Sequence, residues 1–311
     1  MQAIKGYQLS LQQKRLWQLQ KQNNGEYFRH QVAVRLQGNL NSEKLQTVIA
    51  TISQQTDILR TIFQKNVGIK FPFQVIAETG TLPWDFCNFE AVIADDQTQK
   101  IAEIWHQETA DHPFKVTLIK LGTAQHLLII TLPALCADRK TLDLLISAIR
   151  DGYENLSSLE MENIIQYLQV SEWQHELLTE TDKSYWSQPQ FTHLPQLILP
   201  TQTASPPGNQ QACYSGLVPE TLSEKLKIQV DDLEDWLLTT WVVLLWRLTQ
   251  QTELVINYGS DGRPYEEIEK TLGTLSKWLP LNVSLAGVLD FQELVEQIQL
   301  RRREILDCQD E

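Results

Sequence analysis

Residues 127–143 read LLIITLPALCADRKTLD. Leu127 to Thr131 is an unbroken aliphatic run, which predicts a buried strand. Leu132-Pro133-Ala134 ends that run in a turn of small residues. A lone acid, Asp138, follows, and Lys140 to Arg150 carries helical patterning. Strand, tight turn, acid and helix, in that order, are a recurring way to hold catalytic side chains at the end of a strand. Here the turn holds Pro, Ala, Leu, Cys and Ala. Either a catalytic site has been emptied or none was ever built.

Outward from this stretch the chain alternates α and β patterns. On the N-terminal side, Ser10 to Gln22 is an amphipathic helix with Ser10 as its N-cap. His30 to Leu36 alternates apolar and polar residues as a half-buried strand does. Asn41 caps a helix over Ser42 to Gln54. Leu59 to Gln64 and Ile69 to Ile76 read as paired strands joined by Asn66-Val67-Gly68, with Pro72 marking an edge. A helix over Asp95 to Thr109 and strands over Val116 to Leu121 and His126 to Thr131 lead into the central stretch. On its C-terminal side, helices are expected over Arg139 to Asn155 and Met161 to Leu178.

From Gln188 to Gln211 the composition changes. Pro189, Pro195, Pro200, Pro206, Pro207 and Gly208 interrupt any regular element, and 188–211 reads as a linker. It separates an N-terminal lobe, 1–187, from a C-terminal one, 212–311. The latter is expected to hold a strand over Ala212 to Leu217, a helix opening at Pro219, a long helix over Leu233 to Leu248, strands over Leu254 to Tyr258 and Trp278 to Leu285, and a final helix from Asp290. The fold class is α/β, in two lobes.

Composition excludes several roles. The net charge of −13 comes with no basic block, since Arg301-Arg302-Arg303 is short and lies in a charged helix, so nucleic-acid binding is disfavoured. The opening, MQAIKGYQLSLQQKRLW, has no apolar core of a signal peptide. The most apolar segment, Trp236 to Trp246, is too short to span a bilayer and reads as a core helix. Cys87, Cys136, Cys213 and Cys308 are scattered without a CxxC pair, which argues against zinc and for a cytoplasmic, reduced setting. None of the six histidines lies in a nucleophile frame, and Cys136 has apolar neighbours that disfavour its thiolate. There is no Walker A sequence and no GxGxxG. Asp231-Asp232 and Glu266-Glu267 sit at helix starts, where acids favour the helix dipole. Asp261-Gly262-Arg263-Pro264 is a turn signal whose functional reading requires a partner for Arg263.

Taken in order along the chain, these features resemble the condensation domains of nonribosomal peptide synthetases, which share the chloramphenicol-acetyltransferase-like fold. Ser10, Gln13, Arg15, Leu16-Trp17 and Leu19 are similar to the family's first motif. Asp57, Leu59-Arg60-Thr61 and Phe63 are similar to its second, with Gln55-Thr56 where Arg-His is usual. Tyr167, Trp173-Gln174 and Tyr185-Trp186 resemble the fourth motif and the pair after it. Gly262-Arg263 resembles the end of the fifth. Gly273 and Leu279-Pro280-Leu281 resemble the sixth, with Lys277 in place of Asn. Cys308-Gln309-Asp310 resembles the start of the seventh, with Cys for His.

The family's third motif, His-His-x-x-x-Asp-Gly, falls on the opening stretch. Asp138 matches its aspartate; Pro133 and Ala134 stand for the histidines, and Arg139 for the glycine. The resemblance implies two lobes in a V-shaped pseudo-dimer, the second incomplete here. It implies donor and acceptor groups delivered on phosphopantetheine arms of carrier proteins, with no cofactor bound by the chain itself. It assigns the second histidine to positioning or deprotonating the acceptor amine. Alanine can do neither, and loss of general-base help costs about 10²–10⁴ in rate. Arg60, Asp138 and Arg263 are expected to form a structural frame, with Arg263 as partner of Asp138 and Arg139 as its rival. The start at Met1 implies an initiating module. The expected role is a scaffold for an adenylation domain and carrier protein of the same assembly line, or for a recruited tailoring enzyme. The alternative is an acyltransferase that joins carrier-bound acyl and aminoacyl groups by proximity alone.

Overall fold

In the computed structural model the described residues are 6–22, 28–65, 68–78, 82–107, 114–159, 161–180, 185–192, 194–200, 215–229, 232–287 and 290–310. The chain forms two compact units. The first comprises Met1–Glu180 with Asp261–Lys277, the second Thr181–Ser260 with Trp278–Glu311. The segment carrying Arg263 therefore returns to the first unit.

The first unit opens with α1 (Leu11–Gln22), followed by β1 (Arg29–Gln37) and α2 (Ser42–Gln55). As the sequence predicts, Asn41 caps α2, its side chain accepting from Lys44 N–H. A 3₁₀ turn, Asp57–Arg60, leads into β2 (Thr61–Gln64), so the strand expected from residue 59 starts two residues later. β3 (Phe73–Ile76) pairs antiparallel with β2, and residues 66 and 67 of their expected turn lie outside the described set. β4 (Trp84–Asn88) was not legible in the sequence. It is five residues long and contains Asp85 and Asn88, both poor strand formers. Parallel pairing with β5 (Lys115–Gly122) holds it at the sheet edge.

After α3 (Ala94–His106), β5 runs antiparallel to β6 (Gln125–Pro133), which in turn pairs with β1. The main sheet has the order β1-β6-β5-β4. Central β6 is buried from Ile129 to Leu132 on both faces, which explains its unbroken apolar run. Its even positions, Leu128, Ile130 and Leu132, join one core with Leu45, Val48, Ile49 and Ile52 of α2 and with Leu142, Leu145 and Ile149 of α4 (Arg139–Glu154). On β1, Val32, Val34 and Leu36 face the same core, while Gln31 turns the other way and donates to the Trp105 carbonyl at the end of α3. The helix expected from Met161 is broken. A 3₁₀ turn, Met161–Asn163, precedes α5 (Tyr167–Glu180).

The second unit contains α6 (Pro189–Thr192), α7 (Glu220–Gln229), α8 (Leu233–Thr249), β7 (Glu253–Ser260), β8 (Lys277–Ser284) and α9 (Phe291–Asp307), with the first residue of β8 still in the first unit. β7 and β8 make a two-stranded sheet; Leu285 N–H donates to the Thr252 carbonyl at one end and Gly259 packs on the Trp278 ring at the other. Of the strand expected over 212–217, residues 212–214 lie outside the described set and 215–217 are not in a strand. The expectation that α8 is a core helix needs correction. Val242 and Leu245 are buried, but Leu237, Trp241, Leu244 and Leu248 are 45–50% exposed. Among the described residues the sheet beneath α8 and α9 has two strands about 4.8 Å apart, too narrow for two helices about 10 Å wide each, so α8 buries one face alone.

Candidate functional site

At the end of β6 the chain turns sharply: Cys136 N–H donates to the Pro133 carbonyl, and Ala134 N–H to that of Phe28, which prolongs the β1–β6 ladder by one residue. Ala134, Leu135, Cys136 and Ala137 are all buried. Gln13 of α1 fastens the turn. Its Nε2 donates to the Leu135 carbonyl (2.9 Å) and to Gln74 Oε1 (2.9 Å). Cys136 is fully enclosed, and burial pushes its thiol pKa far up, which leaves an inert apolar residue.

Asp138 is the N-cap of α4. Its Oδ1 accepts from Thr141 N–H at 2.8 Å. The rest of its capacity is used by the returning segment. Arg263 grips it in a two-pronged pair, Nη1 to Oδ2 at 3.0 Å and Nη2 to Oδ1 at 3.2 Å. Leu275 N–H (2.9 Å), Ser276 N–H (3.0 Å) and the Ser276 hydroxyl (3.0 Å) also donate to Oδ2. The remaining N–H groups of Arg263 reach carbonyls, and Nη2 also lies 3.2 Å from the Thr141 hydroxyl oxygen. Nε donates to Thr271, Nη1 to Asp261, and Nη2 is shared with Thr271 and Gly273. Both side chains are closed off from solvent, at 0% and 4% exposure. Burial by itself would raise the Asp138 pKa. The Arg263 charge, with hydrogen bonds from Arg263 and Thr141, outweighs it and holds the carboxyl below its ordinary value.

The Thr141 hydroxyl lies 2.8 Å from Asp138 Oδ1 and 2.7 Å from the Gly273 carbonyl; its single proton serves one of them at a time. It accepts from Gly273 N–H at 2.9 Å. Two glycines allow this approach. Gly273 has φ +147°, and a Cβ there would stand 2.0 Å from Tyr167 Cδ2. Gly262 has φ +71°, and a Cβ would stand 1.9 Å from the Leu275 carbonyl oxygen. The buried Tyr167 hydroxyl lies 2.6 Å from Ser10 Oγ and donates to the Thr274 carbonyl at 3.2 Å; burial raises its pKa.

The sequence-derived candidates therefore separate. Asp138 and Arg263 meet. Pro133 and Ala134 lie at the strand end beside them. Arg139 is not a partner of Asp138: its side chain is 85% exposed and pairs with Asp143. Arg60 sits apart, paired with Asp57 at 2.8 Å and donating to the carbonyls of Ser53 and Ala77. Thr141 and Ser276 were missed. The signal that leads to Thr141 is Asp138 itself, an acid before a helical pattern whose N-cap carboxylate reaches the N–H at the third helical position. Ser276 gives no such signal. Among the described residues no group of acids, histidines and cysteines could hold a metal, and no helix is long and apolar enough to cross a membrane. As a chemical device the arrangement is closed: the carboxylate has no lone pair to spare, and position 134 offers neither donor nor acceptor.

A two-unit α/β fold in which an aspartate just past a strand end is clamped by an arginine defines the class. The chain belongs to the condensation domain family, whose profile matches residues 3–310. Tyrocidine synthase 3 of Brevibacillus parabrevis is 25% identical over 319 residues, which cover 98% of this chain and 5% of that protein. The isonitrile lipopeptide synthase of Mycobacterium tuberculosis is 24% identical over 97% of this chain and 13% of its own length. The chain thus spans a small part of these curated relatives. Among solved structures, the condensation domain of the monacolin K polyketide synthase MokA superposes with a TM-score of 0.81 at 18% identity, over 98% of this chain and 74% of that one. The X-domain of teicoplanin biosynthesis, solved in complex with OxyB, superposes with a TM-score of 0.75 at 19% identity, over 100% and 72%. These likenesses establish the condensation-domain fold, which is chloramphenicol-acetyltransferase-like.

Proposed function

We propose that this chain is a condensation-type domain of a nonribosomal peptide assembly line that does not form amide bonds and serves as a docking platform. One observation carries the reading. The residue at the position of the family's second histidine is the buried Ala134, while the Asp138–Arg263 pair beside it is intact. The two compact units are, in this proposal, the two lobes of the domain. The partners are the adenylation domain and carrier protein of the same line, the carrier bringing any phosphopantetheine arm. Placement in an initiating module belongs to the same proposal. The teicoplanin X-domain, solved with OxyB, lends support to a recruited tailoring enzyme as a further partner.

A second reading is favoured by the completeness of the frame: transfer by proximity, in which two tethered reactants held together gain up to about 7–11 kcal/mol without a base. Single-turnover mass spectrometry with loaded donor and acceptor carriers separates the two. The platform reading expects no amide above the carrier-only background, together with measurable binding of the adenylation domain or carrier by calorimetry. Amide from the natural chain would refute it in favour of proximity, and absence of partner binding would refute it outright. Product from the Ala134→His variant alone would show that the frame still supports chemistry once an imidazole is restored.

A further inference from the structure

α8 carries more large apolar side chains than its own unit covers. Asp235, Thr239, Val242 and Leu245 are buried on one side. On the other side Leu233, Leu237, Trp241, Leu244 and Leu248 are 44–50% exposed. At about 100° per residue these five lie within an arc of about 80°, and they extend along about 22 Å of helix. Together they leave on the order of 400 Å² of continuous apolar surface, a size at which exposed patches mark contact sites.

The stripe is nearly self-complementary when reversed. Its members are 4, 4, 3 and 4 residues apart. Let two copies of α8 lie antiparallel about a two-fold axis between residues 240 and 241. Leu233 then falls level with Leu248 of the second copy, Leu237 with Leu244, and Trp241 with Thr240. Leucine meets leucine at four levels, and the short, exposed Thr240 leaves room for the indole of Trp241. A two-fold contact of this kind uses one patch twice and closes on itself. Charge selects the same direction. Asp232, Glu234 and Asp235 at the start of α8 share the single guanidinium of Arg302, so this end stays negative. Arg247, in the last turn, is exposed. Antiparallel packing brings the negative end of each helix level with Arg247 of the other. Parallel packing sets like ends together and Trp241 against itself.

We propose that this chain associates with a second copy of itself through the exposed face of α8, antiparallel and two-fold. Each partner of a standard interface loses roughly 800 Å² of surface, and the stripe supplies about half of that, so the contact belongs with weak, reversible interfaces. The proposal concerns the second unit alone and stands or falls separately from the platform reading.

Sedimentation of the full chain over about 1–100 μM should show a monomer converting reversibly to a dimer, the range in which an interface of this size operates. Leu237→Glu combined with Leu244→Glu, both at exposed positions, should hold the chain monomeric throughout, with the circular dichroism and urea midpoint of the natural monomer. Arg247→Glu leaves the stripe intact and should weaken association about 3- to 10-fold, less so at high salt. Cysteine variants read the direction. A short bismaleimide, with its products located by peptide mapping, should join Leu237→Cys chains to Leu244→Cys chains far more readily than either to itself. A natural chain that stays monomeric to the top of the range overturns the proposal, whatever else covers the stripe. Growth beyond a dimer, a dimer that survives the double substitution, or a Leu237→Cys chain that links to itself as readily as to Leu244→Cys overturns it too. Should the double variant misfold, a dimer indifferent to Arg247→Glu is enough to reject the arrangement.

Discussion

Asp138→Asn is the most informative single perturbation of the first unit. Asparagine can still cap α4 through Oδ1. Its amide group, however, must replace the oxygen that now accepts from Arg263 Nη1, Leu275 N–H, Ser276 N–H and the Ser276 hydroxyl. Donors would face donors, and the Arg263 guanidinium, with no exposed surface, would keep its charge without a counter-ion. Removing one member of a buried ion pair costs about 3–5 kcal/mol. For a unit of about 200 residues, at roughly 2–4 °C per kcal/mol, the midpoint should fall by about 6–20 °C. Calorimetry and urea unfolding measure this, the latter with an unchanged m-value if only stability is affected. A double-mutant cycle with Arg263→Met sharpens the test. Each single variant strands a buried charge and the double variant strands none, so the double should lose clearly less than the sum. A loss below about 1 kcal/mol for Asp138→Asn, against the range for buried pairs, would refute the argument. So would strict additivity in the cycle.

Other outcomes follow from the same geometry. The Asp138 pKa is depressed in the folded state, so the stability it provides is complete above its unfolded value near 4 and drains away as the pH falls through the lower folded value. Thermal midpoints recorded on acidification should show this loss in the natural chain and a flatter acid limb in Asp138→Asn. Gly273→Ala should destabilise by at least the 1–3 kcal/mol typical of overpacking, roughly, because its Cβ meets the Tyr167 ring and its φ is unsuited to alanine; a midpoint equal to that of the natural chain would contradict the packing. Cys136 should resist alkylation in the native state while the partly exposed Cys87 and Cys308 react, as peptide mapping after iodoacetamide would report. Ala134→His places an imidazole where the natural residue is 3% exposed, so a loss of about 1–3 kcal/mol is expected in urea unfolding.

Legibility in the sequence followed local physics. The strand at 127–131 and the cap at Asn41 were readable because an aliphatic run and a capping asparagine specify their own conformation. β4 was not, because its pairing with β5 is what makes Trp84–Asn88 a strand. The exposure of α8 was also invisible. Its apolar content suggests a core helix, but how much of a helix is covered depends on how many strands lie beneath it. At the site, order along the chain picked out Asp138 and Arg263, which are 125 residues apart. The same reasoning grouped Arg60 with them, although Arg60 finds its acid three residues away at Asp57. Nothing in the sequence marked Ser276, because it acquires its meaning from the return of 261–277 to the first unit.

Ala134 and Asp138 are coupled to the fold in very different degrees. Position 134 contributes to structure through its backbone N–H, which donates to the Phe28 carbonyl whatever side chain it carries, and a methyl group fills its enclosed setting. No hydrogen bond of the fold depends on the side chain at this position. Asp138 is the reverse case. It caps α4, neutralises Arg263 and receives the backbone of Leu275 and Ser276, so its loss strands several buried groups at once. An intact Asp138–Arg263 pair is therefore what stability requires, and transfer by proximity would need the same frame. A carboxylate whose lone pairs are all engaged cannot act as a base. Any base at this end of the sheet has to be a side chain with capacity to spare, and Asp138 is not one.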